Sequence, residues 1–334
     1  MKKLLLLLTI ALFISCGGEQ KKSDLPDQSP MIGFWERVGT IQIVKGVNVD
    51  TIFWDDLELE NKERQIKAYT KGHFAWLSNA GVNLPENKDF PWKTGAGAYG
   101  TYTFNTESKN ADNMVETITN AIGNAVTWTP WDDRKKDGSI SINFAATVTE
   151  KNYTQLGIRS ENDSIFGMNE ETLGNSPEYA EYFEKIPEGE KTKIDGVWNH
   201  IANVRYVNGV AVDTTALPEG LDDHKIFHKG NVIVNWDPTM AKDGDNLWGG
   251  AGLAGTYEYN NDKQELMEKF TLGTGNWMAK GNNWPKTYYD IDWINDDTFI
   301  QIFRTRAVPS EDGSGLVWEE VGKEYNGHLN VRVK

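Results

Sequence analysis

A single cysteine in 334 residues, Cys16, leaves no partner for a disulfide, no thiolate set for a metal and no cysteine nucleophile in the body of the chain. Histidine is also scarce: His73, His200, His224, His228 and His328. Only His224 and His228 have the i, i+4 spacing that grips a metal on a helix. On an extended segment they would stand about 13 Å apart, at roughly 3.3 Å per residue, too far for one ion. No metal and no cofactor is expected. Positive charge is in deficit, with 34 Lys and Arg against 49 Asp and Glu. The resulting net charge of −15 repels nucleic acid and argues against it as a partner. No apolar run reaches the about 20 residues needed to span a bilayer. G-x-S-x-G, H-E-x-x-H and a phosphate loop ending in Gly-Lys-Ser/Thr are missing, so no enzyme class announces itself. Helix signals are thin, the best being Ser176-Pro177-Glu178 at the start of "SPEYAEYF".

What is present begins with "MKKLLLLLTIALFISC". Lys2 and Lys3 precede one apolar block, as in a secretory signal. Phe13-Ile14-Ser15-Cys16 resembles a bacterial lipobox, which implies that residues 1–15 are removed and Cys16 is acylated. Acyl chains on Cys16 would anchor the chain to the outer membrane, at its periplasmic face or the cell surface. Residues 16–30, polar and rich in turn formers, read as a flexible tether.

The remainder is a duplication. "GFWERVGTIQIVKGVNVDT" from Gly33 and "GVWNHIANVRYVNGVAVDT" from Gly196 share 8 of 19 positions without a gap. In the same order come "KAYTKGHFAW" (from Lys67) with "KIFHKGNVIV" (from Lys225), and "GAGAYGTYTFN" (from Gly95) with "GAGLAGTYEYN" (from Gly250). "VETIT" at Val115 then parallels "MEKFT" at Met267. Two homologous domains are expected, residues 31–187 and 194–334, with "PEGEKTK" (Pro187 to Lys193) at their boundary. Tyr102 and Phe104 alternate with Thr101 and Thr103, β-branched and aromatic residues dominate, and Gly, Asn and Asp fall between the runs. The fold class is therefore all-β, a pair of antiparallel barrels or sandwiches. Segments near Met114 and Glu265 can be read as helix or strand; their place in the repeat favours strand.

Both glycine runs match G-x-G-x-x-G, yet the context is wrong for a dinucleotide. No hydrophobic strand precedes them, and alternating β sequence stands after them, where a helix must present its N-terminus. Glycine permits sharp bends and close backbone approach, which a small closed barrel needs at its corners.

Gly33-Phe34-Trp35 and Gly196-Val197-Trp198 resemble the G-x-W signature of the lipocalins within the calycin superfamily. "YTKGHFAW" followed by a glycine-rich strand is similar to the lipocalin-like domains of bacterial secreted lipoproteins. The resemblance implies two tandem eight-stranded barrels, with Trp35 and Trp198 packed across their closed ends. It also implies an Arg from a late strand beside each Trp; Arg159, Arg304 and Arg306 are the candidates. An eight-stranded barrel is filled by side chains or holds one small ligand.

Four acidic stretches, at Trp54, Trp131, Trp236 (which includes "DGDN" at Asp243) and Asp290, raise glycoside hydrolysis by a carboxylate pair, or weak calcium binding. None recurs in both repeats, and "DGDN" lacks a closing Glu. Among 13 Trp, Trp76, Trp92, Trp128, Trp236, Trp248, Trp277 and Trp284 surround the glycine runs, as core or as an aromatic cavity lining. Tyr69 and Phe227 occupy matched, inward positions. The expected ligand-binding set is Tyr69, His73, Trp76, Tyr102, Phe227, Trp236 and Tyr257. The expected function is non-catalytic binding or carriage of a small apolar ligand. Surface glycan binding through exposed Trp and Asp, and a structural or assembly role with solid barrels, are the alternatives.

Overall fold

The structure, a computed structural model, describes residues 29–44, 47–53, 64–79, 95–106, 113–123, 140–158, 178–218, 223–236, 251–274, 286–309 and 316–334. Among the described residues every regular element is a strand. The first repeat forms β1 (Gly33–Val44), β2 (Val47–Phe53), β3 (Gln65–Tyr69), β4 (His73–Ser78), β5 (Ala96–Phe104), β6 (Met114–Gly123), β7 (Ile140–Val148), β8 (Asn152–Ile158) and β9 (Glu178–Lys185). The second forms β10 (Gly196–Val207), β11 (Val210–Ala216), β12 (Asp223–His228), β13 (Asn231–Trp236), β14 (Ala251–Asn260), β15 (Glu265–Thr274), β16 (Thr287–Asn295), β17 (Thr298–Phe303), a hairpin of β18 (Thr305–Pro309) and β19 (Leu316–Glu320), and β20 (Glu324–Arg332).

Each repeat closes on itself. β1 pairs with both β3 and β9, and β10 with both β12 and β20, so eight antiparallel strands make a ring in each case. β2 and β11 extend the rings as hairpin partners of β1 and β10. Closure removes every sheet edge within the ring, and the bends that closure needs recur at matched places. The register shifts at Arg37/Gly39 and at His200/Ala202, and again at Tyr99/Gly100 and at Ala254/Gly255. At the second pair a Cβ on Gly100 or Gly255 would overlap the carbonyl oxygen of Thr117 or Lys269. The glycine runs are thus sites of close strand approach beside a bulge. The segments at Met114 and Glu265 are strands, as their repeat context requires.

The best of the thin helix signals goes unused. "EYAEYFEK", the stretch with the best helix start, is strand β9. Its backbone groups are claimed on both sides, by β1 and β8, and a helix there would leave the ring open. Tertiary pairing overrides the local signal.

The barrels share a wall. On β3, Gln65, Lys67 and Tyr69 face inward while Ile66 and Ala68 face the other barrel, so all five residues are buried. Phe34, Ala75, Leu77, Tyr99 and Ile122 of the first barrel pack with Val197, Ile226, Ile233, Ala254 and Leu272 of the second in one apolar cluster. Gly252 belongs to this wall, since a Cβ there would lie 2.2 Å from Leu77 Cδ2. Residues 186–195 strap the barrels together. Ile186 N donates to Phe34 O at 2.8 Å and Gly189 N to Lys229 O at 2.7 Å. Within the strap Glu188 accepts from Lys185 of the first barrel and Lys229 of the second. Burial opposes its charge, but the two ammonium groups outweigh that and hold its carboxyl down at about 2.

Candidate functional site

The closed end of each barrel is built twice on one plan. Trp35 Nε1 donates to Met31 O at 2.9 Å, and Trp198 Nε1 to Ile194 O at 2.7 Å; Met31 and Ile194 are themselves fully buried plugs. A cation covers each indole: the Lys185 ammonium lies 5.6 Å from the Trp35 ring, and the Arg332 guanidinium 4.1 Å from Trp198. Gly33 and Gly196 adopt φ of +139° and +143°, and a Cβ on either would strike the stem or head of that cation. This is what the G-x-W pair requires physically. The cation identities differ from the expected ones. Arg304 instead pairs with Glu265 and Asp290 on the surface, the Arg306 side chain and Arg159 lie outside the described set, and the residue over each Trp comes from the strand beside it in the ring.

Above the tryptophan, the first barrel buries a polar cluster. Lys67 Nζ donates to Glu116 Oε1 at 3.0 Å and Gln155 Oε1 at 3.0 Å, and the Tyr69 hydroxyl also donates to Glu116. Lys67, Glu116 and Gln155 are all buried within an aromatic shell that includes Tyr153, Phe144 and Phe183. Burial, then the Glu116 charge, drives the Tyr69 and Tyr153 phenols well above their usual range, so both stay protonated donors.

The second barrel repeats the cluster with two tyrosine donors removed and one, Tyr289, gained where the first has Phe144. Lys225 Nζ reaches Glu268 Oε1 at 2.9 Å and Gln301 Oε1 at 3.1 Å. The Tyr69 position is Phe227, and the Tyr153 position is Phe299. Glu268 is fully buried, and its Oε2 has no hydrogen-bond partner. Tyr289 adjoins it, its phenol pushed well up by burial, then by the Glu268 charge and by a hydrogen bond to that carboxylate.

A second polar position diverges further. In the first barrel Arg37 NH1 bridges Gln65 Oε1 at 3.2 Å and Glu181 Oε1 at 3.0 Å. At the matched places of β10, β12 and β20 stand His200, Asp223 and His328. His200 Nδ1 is 2.7 Å from Asp223 Oδ2, its Nε2–H donates to Ala202 O at 3.0 Å, and its ring stacks on His328 at 3.9 Å.

Of the residues expected to line a ligand site, Tyr69, Trp76 and Tyr102 do face the interior of the first barrel, and Phe227 and Tyr257 that of the second, with Trp236 packed against it. Tyr257 spends its hydroxyl on Asp195 of the strap and so serves the closed end. His73 points the other way, into the wall between barrels, where its Nδ1 meets the Tyr99 hydroxyl at 3.0 Å. The physical reason is parity: His73 shares its face of β4 with Ala75 and Leu77, both in the wall, while Phe74 and Trp76 face the barrel interior. Cys16, Trp92, Trp128, Trp248, Trp277, Trp284 and the acidic stretches at Trp54, Trp131 and Asp243 lie outside the described residues. On β16, Asp290 and Asp292 are exposed rather than paired inward. Sequence reasoning missed Lys67, Glu116, Gln155 and their partners Lys225, Glu268 and Gln301. The signal was the identical Lys and Glu inside matched repeats. A charge kept at the same point of two β segments rich in buried residues marks a buried pair.

No protein-family model matches the chain, and no curated protein matches it either.

Proposed function

We propose that this chain is a membrane-anchored, extracytoplasmic binding protein without catalysis of its own. Its second barrel holds a small molecule with an apolar body and a hydrogen-bond-donating group. The observation that carries this is the Glu268 Oε2 atom, buried and without a hydrogen-bond partner although the Tyr289 phenol lies against the same carboxylate; in the twin, Lys67 reaches both oxygens of the matched Glu116 and Tyr69 adds a donor. An unmet buried acceptor costs about 1–3 kcal/mol, and more when charged, which a ligand N–H or O–H would recover. Leu253, Phe270, Tyr289 and Trp236 would take up the apolar body, at about 25 cal/mol per Å² buried. The first barrel is then the scaffold half, its polar cluster closed by its own tyrosines. The lipobox at Cys16 supplies the anchor.

The aromatic fill of both interiors favours the structural alternative, in which neither barrel admits a ligand. Among the residues whose exposure is described, the exposed large apolar side chains are Phe53, Val210, Val212 and Tyr288, so the sugar-stacking tryptophans of the glycan reading are not found among them. Native mass spectrometry of the full chain, extracted in mild detergent from the cells that make it, separates the readings. A one-to-one adduct of roughly a few hundred daltons, weakened about tenfold by Glu268→Gln, is expected. A bare protein mass from freshly extracted, folded material refutes carriage and leaves the scaffold.

A further inference from the structure

The second barrel holds a charge imbalance that its twin lacks. In the first, two cations, Arg37 and Lys67, face two carboxylates, Glu181 and Glu116. In the second, Lys225 alone faces Asp223 and Glu268, because the Arg37 position has become His200 and the Glu181 position His328. The guanidinium of the first barrel marks a place where this fold seats a positive charge against the β1/β3/β9 corner. The equivalent corner of the second barrel keeps a buried carboxylate and sets two imidazoles around it. An uncompensated buried charge is costly, so something positive belongs there.

We propose that His200, Asp223 and His328 form a divalent transition-metal site in the second barrel, with zinc as the ion their donor set fits best. Their ligating atoms all lie within 4.8 Å of one another. Two imidazole nitrogens and one carboxylate oxygen are a borderline donor set that suits zinc, with a fourth position left for water or another ligand. His200 is held on both sides: its Nε2–H donates to the Ala202 carbonyl, and its Nδ1 makes a 2.7 Å hydrogen bond with Asp223 Oδ2, where an ion would take the place of the shared proton. A ligating histidine commonly donates its other N–H to a backbone carbonyl in this way. The two rings are stacked at 14°, and one ion cannot lie in both planes. Coordination therefore turns His328, the partly exposed member, out of the stack. Among the described residues Lys225 is the cation facing the site, and it remains held by Glu268. The site is independent of the carriage reading, since it uses neither Glu268 Oε2 nor an organic ligand.

The test is titration of the full, metal-stripped chain with zinc chloride, followed by mass and by thermal unfolding. Cobalt(II) serves as the spectroscopic probe on the unaltered protein. One zinc per chain, a rise in melting temperature reversed by chelator, and visible cobalt bands of tetrahedral or five-coordinate type are expected. Removing one partner that merely orients a ligand costs 10- to 100-fold in affinity, so His328→Ala is expected to weaken zinc by more than about a hundredfold. His228→Gln, which alters a histidine outside the cluster, is expected to change nothing. Folded wild-type protein that takes up no zinc and gives no cobalt bands overturns the assignment. So does zinc uptake that His328→Ala leaves intact. In that outcome the cluster is a hydrogen-bonded pair, His200 with Asp223, on which His328 stacks.

Discussion

Acid is expected to loosen the wall between the barrels through His73. Its ring lies against Tyr99 at 5.9 Å, its Nδ1 shares a hydrogen bond with the Tyr99 hydroxyl, and Tyr99 in turn stacks on His224 of the second barrel at 3.7 Å. Burial lowers the His73 pKa from 6.5 to about 4. That of His224 falls to about 3, by burial and then by His73 itself. A base whose folded pKa lies below its unfolded one is neutral in both states above pH 6.5, where the fold keeps its full stability. As pH falls from 6.5 toward 4, the unfolded chain binds the proton first and stability is lost. For His73 alone the loss is about 2 kcal/mol at pH 5 and about 3 kcal/mol at pH 4. His224 adds to it with the same sign. Carboxylates titrate in the same window, so the assay is a comparison. Urea unfolding of wild type and His73→Asn, the residue found at the matched position Asn231, is measured at pH 8 and pH 5. The wild type is expected to lose about 2 kcal/mol more than the variant over that interval. Parallel pH profiles would refute a buried, neutral His73.

Lys67→Met strands the Glu116 carboxylate among aromatic rings and is expected to cost about 3–5 kcal/mol in urea unfolding, with Lys67→Met/Glu116→Leu recovering much of it; a cost below about 1 kcal/mol would mean the cluster carries little. Gly252→Ala drives a methyl into Leu77 across the wall and is expected to destabilise by about 1–3 kcal/mol. Combined with Leu77→Ala the losses should fall short of additive by at least about 0.5 kcal/mol, and strict additivity would place the two residues out of contact. Arg332→Met removes the cation over Trp198 and the donor to Asp195 O, at an expected cost of about 1–3 kcal/mol by thermal unfolding. Arg304→Met, which breaks only exposed pairs, is expected to stay within about 0.5 kcal/mol of wild type, and equal effects would return Arg304 to consideration as the tryptophan's partner.

The sequence by itself determined what repeats locally. Alternating apolar residues and turn formers between them were enough for two all-β domains in tandem, because side-chain parity is written along each strand, and the resemblance carried by the duplicated G-x-W chose barrels over sandwiches. The glycine runs could be freed of a nucleotide on context alone, since no helix comes after them. Tertiary structure decided everything that depends on which strands meet. "EYAEYFEK" reads as a helix start until β1 and β8 claim both its edges. His73 could not be placed inside or outside, because both faces of β4 are buried, one by its own barrel and one by the other. The cation over each tryptophan could not be chosen from sequence spacing, because Lys185 and Arg332 reach it across a ring closure more than a hundred residues long. The same closure brings His200, Asp223 and His328 within reach of one ion. In sequence they are three unrelated residues; only the curvature of the second barrel makes them neighbours.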